Sequence, residues 1–268
     1  MTTAPIGVFD SGLGGLTVVR ALVARLPKES IIYVGDTARV PYGPKSPETV
    51  RRYSKEIAGY LAGEGVKAIV VACNTATAHA LPELEASLSI PVVGVIEPGA
   101  RAAVRATKNG PIGVIGTVGT IASGAYERAI ADINPDITVM SAPCPLFVPL
   151  VEEGWYDTKA TKQIVKTYLK PLAATGIDTL ILGCTHYPLL VDRIAKRMGE
   201  EVTLIDSGAE AAVEVSRVLR QAKIEAPASA SPTHRFIATD APEQFLRSAR
   251  GFLGPGHTIK RVETLNVT

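Results

Sequence analysis

One pattern occurs twice in this chain and restricts what it can fold into. Ile69-Val70-Val71-Ala72-Cys73-Asn74-Thr75 and Leu180-Ile181-Leu182-Gly183-Cys184-Thr185-His186 are each an apolar run, one small residue, a cysteine and then polar residues. An apolar run of this length bounded by polar residues reads as a buried strand, so each cysteine falls where a strand gives way to a loop. A second pair repeats at nearly the same spacing. Ile6-Gly7-Val8-Phe9-Asp10-Ser11-Gly12-Leu13-Gly14 resembles Ile112-Gly113-Val114-Ile115-Gly116-Thr117-Val118-Gly119-Thr120, each a short apolar strand running into Gly and hydroxyl residues with a helix to follow. Two similarities at one offset of about 110 residues indicate a duplicated α/β unit, too long a period for a solenoid. The equivalent loops of two such units would face each other across a cleft, at the carboxyl ends of strands where open α/β sheets bind ligands, with one cysteine from each side.

The rest of the chain has the same grammar. Short runs rich in Val and Ile predict strands at 5–9, 31–35, 67–72, 91–95, 111–115, 137–141, 178–182 and 202–205. Between them, helical spacing runs over 47–63, 97–107, 119–132, 158–174 and 207–222. Ser46 before Pro47 is a cap followed by proline at the first helical position; Asp157 or Thr158 caps the helix after Trp155. Strict alternation implies right-handed crossovers and mainly parallel sheets. Ala226-Pro227-Ala228-Ser229-Ala230-Ser231-Pro232 reads as a surface loop, and a strand near 234–239, a helix near 242–253 and a strand near 258–263 close the chain. The expected division is a discontinuous first lobe, 1–97 plus 207–268, and a second lobe, 98–206.

Composition excludes several classes. At 268 residues and 46% apolar content the chain can bury a substantial core. A net charge of +2, with no block of Lys or Arg, leaves no nucleic-acid footprint. No apolar stretch is long enough for a membrane span, and Met1-Thr2-Thr3-Ala4-Pro5 has no signal-peptide pattern. Three cysteines argue against a disulfide framework and for a reducing cytoplasm. The absence of Cys-x-x-Cys and the scatter of the four His argue against a metal site. Cys144, between two prolines, is assigned to core packing.

Five landmarks in order resemble the cofactor-independent glutamate racemases: Phe9-Asp10-Ser11-Gly12-Leu13-Gly14-Gly15, Pro41-Tyr42-Gly43, Cys73-Asn74-Thr75-Ala76, Gly116-Thr117-Val118-Gly119-Thr120 and Gly183-Cys184-Thr185-His186-Tyr187-Pro188. The resemblance runs over almost the whole chain. It implies two pseudo-symmetric flavodoxin-like α/β lobes with the active site in the cleft between them, no cofactor, L- and D-glutamate as substrates, D-glutamate supplied for peptidoglycan, and a cytoplasmic homodimer. Racemisation removes a proton from one face of Cα and returns one to the other, which suits two groups on opposite faces. A reference thiol pKa of about 8.5 allows one thiolate and one thiol near neutrality. The resemblance implies that Cys184 takes the proton from L-glutamate and Cys73 from D-glutamate, with Asp10 and His186 modulating the thiols and Glu152 partnering His186.

The residues leave other readings beside these. Asp10 before a Ser-Gly loop also suits a turn or cap, His186 a packed ring near a helix start, and Glu152, in Val151-Glu152-Glu153-Gly154, a solvated surface. Ser11, Asn74, Thr75, Thr117, Thr120 and Thr185 supply hydroxyl and amide groups for an amino-dicarboxylate, with Tyr42 and Gly43 in a turn that could close over it. Gly12 and Gly15 are equally explained by tight turns alone. An aspartate-specific relative is disfavoured by His186, where aspartate racemases tend to carry Glu. A hydrolase built on Cys184 and His186 leaves Cys73 unexplained, and residues two apart need not meet. A two-lobed binding protein and a nucleotide-binding reading of Gly12-Leu13-Gly14-Gly15 are the remaining alternatives.

Overall fold

A computed structural model describes residues 1–108, 110–256 and 259–267. Strands and helices alternate from the start: β1 (Ile6–Asp10), α1 (Leu16–Arg25), β2 (Ile31–Gly35), α2 (Pro47–Gly63), β3 (Ala68–Val71), α3 (Asn74–Ser87) and β4 (Val92–Gly94). Helix α4 (Ile96–Ala106) leads to β5 (Ile112–Gly116), α5 (Val118–Ala122), α6 (Ala125–Ala131), β6 (Val139–Pro143), α7 (Phe147–Glu152), α8 (Lys159–Leu169), β7 (Thr179–Gly183), α9 (Val191–Met198) and β8 (Thr203–Asp206). Helix α10 (Ser207–Ala222) returns to β9 (His234–Ala238), α11 (Pro242–Leu253) and β10 (Glu263–Thr264).

The strands form two sheets, ordered β10-β9-β2-β1-β3-β4 and β6-β5-β7-β8, and every described pairing is parallel. The run β2-β1-β3-β4 in the first sheet has the same order as β6-β5-β7-β8 in the second, as a duplicated unit requires. In both, the strand order reverses between the strand that opens the unit and the one that ends in cysteine: β1 beside β3, and β5 beside β7. That switch point is where doubly wound sheets open a crevice at their carboxyl edge. The central strands are the most apolar because helices cover both faces; β1, β2, β5 and β7 are buried at every position. Among the described residues, no helix is long and apolar enough to cross a membrane.

Helix starts follow local chemistry. Ser46 Oγ accepts from the Thr49 amide ahead of Pro47, Thr158 Oγ1 from Thr161, and Asp206 Oδ1 from Gly208 and Ala209. Three expectations shift. The helix expected over 119–132 is two helices, because Gly124 takes a left-handed φ of 63° and turns the chain between α5 and α6. The helix expected over 158–174 ends at Leu169, and after Pro171, which has no amide to donate, only a 3-10 turn at Leu172–Ala174 follows. The closing strand expected near 258–263 pairs only at Glu263 and Thr264, with Ile237 and Ala238; position 258 lies outside the described residues.

Candidate active site

The carboxyl edges of the two sheets face one cavity of about 420 Å³. Asp10 and Ser11 enter it from the end of β1, Cys73, Asn74 and Thr75 from β3, Thr117 from β5, and Cys184, Thr185 and His186 from β7. Tyr42 and Gly43 come from the loop after β2, and Glu152 from the last residue of α7. Twelve of the thirteen residues expected at the site thus meet on one cavity. The exception is Thr120, whose hydroxyl lies behind the wall, 3.2 Å from Thr75 Oγ1 and 3.0 Å from Thr117 Oγ1. It supports the two threonines that do line the cavity.

The two thiols are equally buried, each 6% exposed, and differently flanked. Cys184 Sγ lies 3.8 Å from His186 Nδ1, and the opposite ring nitrogen, Nε2, lies 3.1 Å from Glu152 Oε1. Burial opposes a charge on this ring, yet Cys184 and Glu152 on its two sides raise its pKa to about 10. The imidazole is therefore cationic near neutrality, and a negative charge on Cys184 Sγ would face it. Cys184 and His186, although two residues apart, do meet in space, because the chain turns into a 3-10 helix at Tyr187–Leu190 directly after the strand. Phe252 of α11 packs edge-on to the ring at 5.4 Å.

Cys73 is capped differently. Its Sγ accepts from the Ala76 amide, 3.4 Å away, at the start of α3. Burial, with the Asp10 carboxylate nearby, pushes this thiol up to about 12. Burial also raises Asp10, against the lowering pull of the His186 cation. Asp10 Oδ2 accepts from the Gly12 amide at 3.0 Å, so the turn role expected of it is real; Oδ1 is buried with no hydrogen-bond partner. No Lys or Arg among the described residues lines the cavity. Acceptors for an ammonium and donors for carboxylates must therefore come from Asp10, hydroxyls, backbone amides and the start of α3.

The lobes touch at the cavity rim. Thr75 and Thr117 hydroxyls are 2.9 Å apart, and the Gly119 amide donates to the Gly43 carbonyl at 2.9 Å. Thr17 Oγ1 donates to both the Gly14 and Thr185 carbonyls. The glycines of the first loop sit in a turn, where the Leu16 and Thr17 amides donate back to the Leu13 and Gly14 carbonyls, and they also serve close approach without any left-handed φ. A Cβ on Gly14 would stand 2.1 Å from Thr185 Oγ1, and one on Gly15 2.5 Å from Asp10 Cβ.

Two side chains differ from expectation. The Tyr42 hydroxyl donates to the buried Asp36 carboxylate, so toward the cavity Tyr42 offers ring and backbone. Asn74 Oδ1 accepts from the Tyr126 hydroxyl at 2.7 Å and its Nδ2 lies 3.5 Å from Ser207 Oγ, so its amide is oriented by α6 and the start of α10. Sequence reasoning did not find Asp36, which also accepts from Thr239 and pairs with Arg39. Nor did it find Val148 and Pro149, which wall the cavity from α7. The buried polar pattern Gly35-Asp36-Thr37 after a strand was the available signal for Asp36. Cys144 sits in the core, fully buried, its amide donating to the Gly116 carbonyl at 2.8 Å.

Comparison with known proteins places this arrangement. The Asp/Glu/Hydantoin racemase family model matches residues 6–215. A glutamate racemase of Geobacter metallireducens is 55% identical over 249 residues, covering 93% of this chain and 92% of the relative. A crystal structure of a glutamate racemase isoform from Bacillus anthracis superposes with a TM-score of 0.95 at 48% identity, covering 100% of this chain and 99% of the other. One from Francisella tularensis, in complex with D-glutamate, superposes with a TM-score of 0.91 at 40% identity over 98% of each chain.

Proposed function

Because this chain belongs to the Asp/Glu/Hydantoin racemase family, we propose that it interconverts L- and D-glutamate without a cofactor, through the thiols of Cys73 and Cys184. The observation that carries the reading is the pair itself: two buried thiols, delivered by equivalent strands of two like-ordered sheets, lining one cavity. The thiolate of Cys184, facing the His186 cation, takes the Cα proton of L-glutamate. The Cys73 thiol gives its proton to the opposite face. Cα leaves with inverted configuration, Cys184 is left as thiol and Cys73 as thiolate; the reverse reaction starts from this form, and proton exchange with solvent resets it for the next turnover.

The unpartnered Asp10 Oδ1 suits the substrate ammonium. Hydroxyls of Ser11, Thr75, Thr117 and Thr185, the Gly43 backbone and the amides at the start of α3 suit the carboxylates, with Asn74 held in place by Tyr126. Within the same reading the product serves peptidoglycan synthesis in the cytoplasm and the enzyme is a homodimer, the latter testable by sedimentation equilibrium.

One observation favours a second reading. Cys184, His186 and Glu152 form a thiol-imidazole-carboxylate chain of the kind that activates a nucleophile. One experiment separates the two. The protein is incubated with L-glutamate in D2O with no added cofactor, following optical rotation and the Cα proton signal. Decay of rotation to zero with deuterium at Cα supports racemisation, and L-aspartate in parallel tests the substrate. No exchange with either acid, in folded protein with reduced thiols, refutes the two-thiol reading and favours the nucleophile.

A further inference from the structure

Away from the cavity, the groove between α8 and α9 gathers five cations: Lys162 and Lys166 from α8, and Arg193, Lys196 and Arg197 from α9, around the apolar side chain of Val165. We propose that this groove is a binding site for a compact, multiply charged phosphate anion of the diphosphate class.

The spacing is the first argument. Lys162 and Lys166 stand four residues apart on one helix; on the other, Arg193 stands three before Lys196 and four before Arg197. Like charges at these separations are neighbours on a helix face and destabilise it. Here two such faces are turned toward each other across one groove, which adds repulsion between the helices.

The shortage of counter-charge is the second. Among the described residues, one carboxylate forms ion pairs with this cluster. Asp157, itself 56% exposed, lies 2.9 Å from Lys162 Nζ and 2.7 Å from an Arg193 nitrogen. Elsewhere the protein pairs its arginines closely, with Arg235 between Glu64 and Glu263 and Arg101 between Glu97 and Glu214. Arg197, one of the groove's five cations, has its Nε buried with no hydrogen-bond partner. A buried guanidinium donor without an acceptor is costly, and an anion in the groove would supply one.

The third argument is the fit. The groove holds about 420 Å³, the scale of a small-molecule site and too short for a polymer's backbone. Phosphate oxygens accept several charge-assisted hydrogen bonds at once and match the guanidinium fork. Two linked phosphoryl groups offer acceptors to cations on both helices. The site is independent of the reaction assigned to the cavity.

The test is isothermal titration of the full-length protein with sodium pyrophosphate at constant ionic strength, repeated with K166Q/K196Q. Neither lysine belongs to the catalytic cavity, so the basal turnover of this variant stays at the wild-type level. The expected result is saturable one-to-one binding, weakened at least ~10-fold in the variant, since each tenfold corresponds to a single lost charged contact of about 1.4 kcal/mol. K166R/K196R, which keeps both charges, should retain binding. Trp155, the chain's one tryptophan and two residues from Asp157, gives a second readout by fluorescence. No saturable binding at millimolar pyrophosphate overturns the proposal, as does equal affinity in wild type and K166Q/K196Q. Salt-sensitive self-association abolished by the same two substitutions would also overturn it, assigning the groove to a second copy of the chain.

Discussion

Glu152→Gln isolates one of the two charges that keep His186 protonated. Glutamine preserves the shape and can still accept from Nε2, which lies 3.1 Å from Glu152 Oε1, so the substitution removes charge and little else. A hydrogen bond to a charged group is worth about 1.5–3 kcal/mol and a neutral one about 0.5–1.5. Glu152 is one-third exposed, and solvent screening places the difference at the lower end, about 1–1.5 kcal/mol. At 1.36 kcal/mol per pKa unit this is a fall of about one unit, taking His186 from about 10 to about 9.

Two measurements follow this shift. His186 is titrated by NMR on its ring Cε1 proton, with His186→Asn identifying the signal. The second is stability against pH. The folded pKa lies above the ordinary value of 6.5, so the contribution of His186 is complete below about pH 6.5 and is lost as pH rises through about 10. In Glu152→Gln the loss should be complete about one unit earlier, read as melting temperature from pH 6.5 to 10.5. On the two-thiol reading, the alkaline limb of kcat/KM for L-glutamate moves down by the same unit. A His186 titration that stays in place or moves up in a folded variant would refute the reasoning, because the carboxylate would then not be what holds the proton.

Five further substitutions test the reading. Cys73→Ala and Cys184→Ala should each abolish racemisation, whereas Cys144→Ala should keep wild-type turnover and lose about 1–2 kcal/mol of stability in urea titration as a core truncation; near-normal turnover by either of the first two defeats the two-thiol mechanism. Gly14→Ala should reduce kcat/KM by at least ~10-fold, because the new methyl enters the space of Thr185 and His186; an unchanged polarimetric rate would contradict the close approach. Tyr42→Phe should cost about 1–3 kcal/mol by removing a donor to the buried Asp36 carboxylate, and should raise KM more than it lowers kcat, since the loop that carries Gly43 is anchored there.

What was legible in the sequence had local causes. Helices α2, α10 and α11 begin and end at the expected bounds 47–63, 207–222 and 242–253, α2 behind its Ser46-Pro47 start signal. Strand ends at Asp10 and Cys184 were visible because an apolar run buried on both faces stops abruptly at a polar residue. Helix α3 is written in small and β-branched residues with Pro82 inside it, so periodicity does not announce it. The break at Gly124 required a backbone angle that an isolated glycine does not disclose. At the site, the residues following strands were readable from topology alone. The pairing of Glu152 with His186 was expected only through the family resemblance, because it joins the end of α7 to the loop after β7 across 34 positions of chain. Asp36 was hidden for a different reason: it touches the loop that shapes the cavity and lies outside the cavity itself.

The duplication also accounts for an asymmetry that a two-base racemase needs. Equivalent strands end in Asp10 in one lobe and in Gly116 in the other, so the first lobe carries a carboxyl where the second has none. Two residues after the cysteine stands Thr75 in the first lobe and His186 in the second, so the cation appears only on the other side. The repeated frame brings two thiols to opposite walls of one cavity. The two departures from the repeat set their surroundings apart: burial beside a carboxylate holds Cys73 protonated, and Cys184 lies against an imidazolium. A symmetric pair would start with both thiols in the same protonation state and could not both give and take a proton in one turnover. On this reading, exchanging the departures is the informative perturbation. Asp10→Asn should ease ionisation of Cys73, and His186→Asn should disfavour the thiolate at Cys184. The first should therefore slow proton delivery by Cys73 and the second proton removal from L-glutamate by Cys184; both steps lie in the L-to-D direction, so both variants should lower kcat for L-glutamate, and only the second should raise the primary isotope effect with Cα-deuterated L-glutamate.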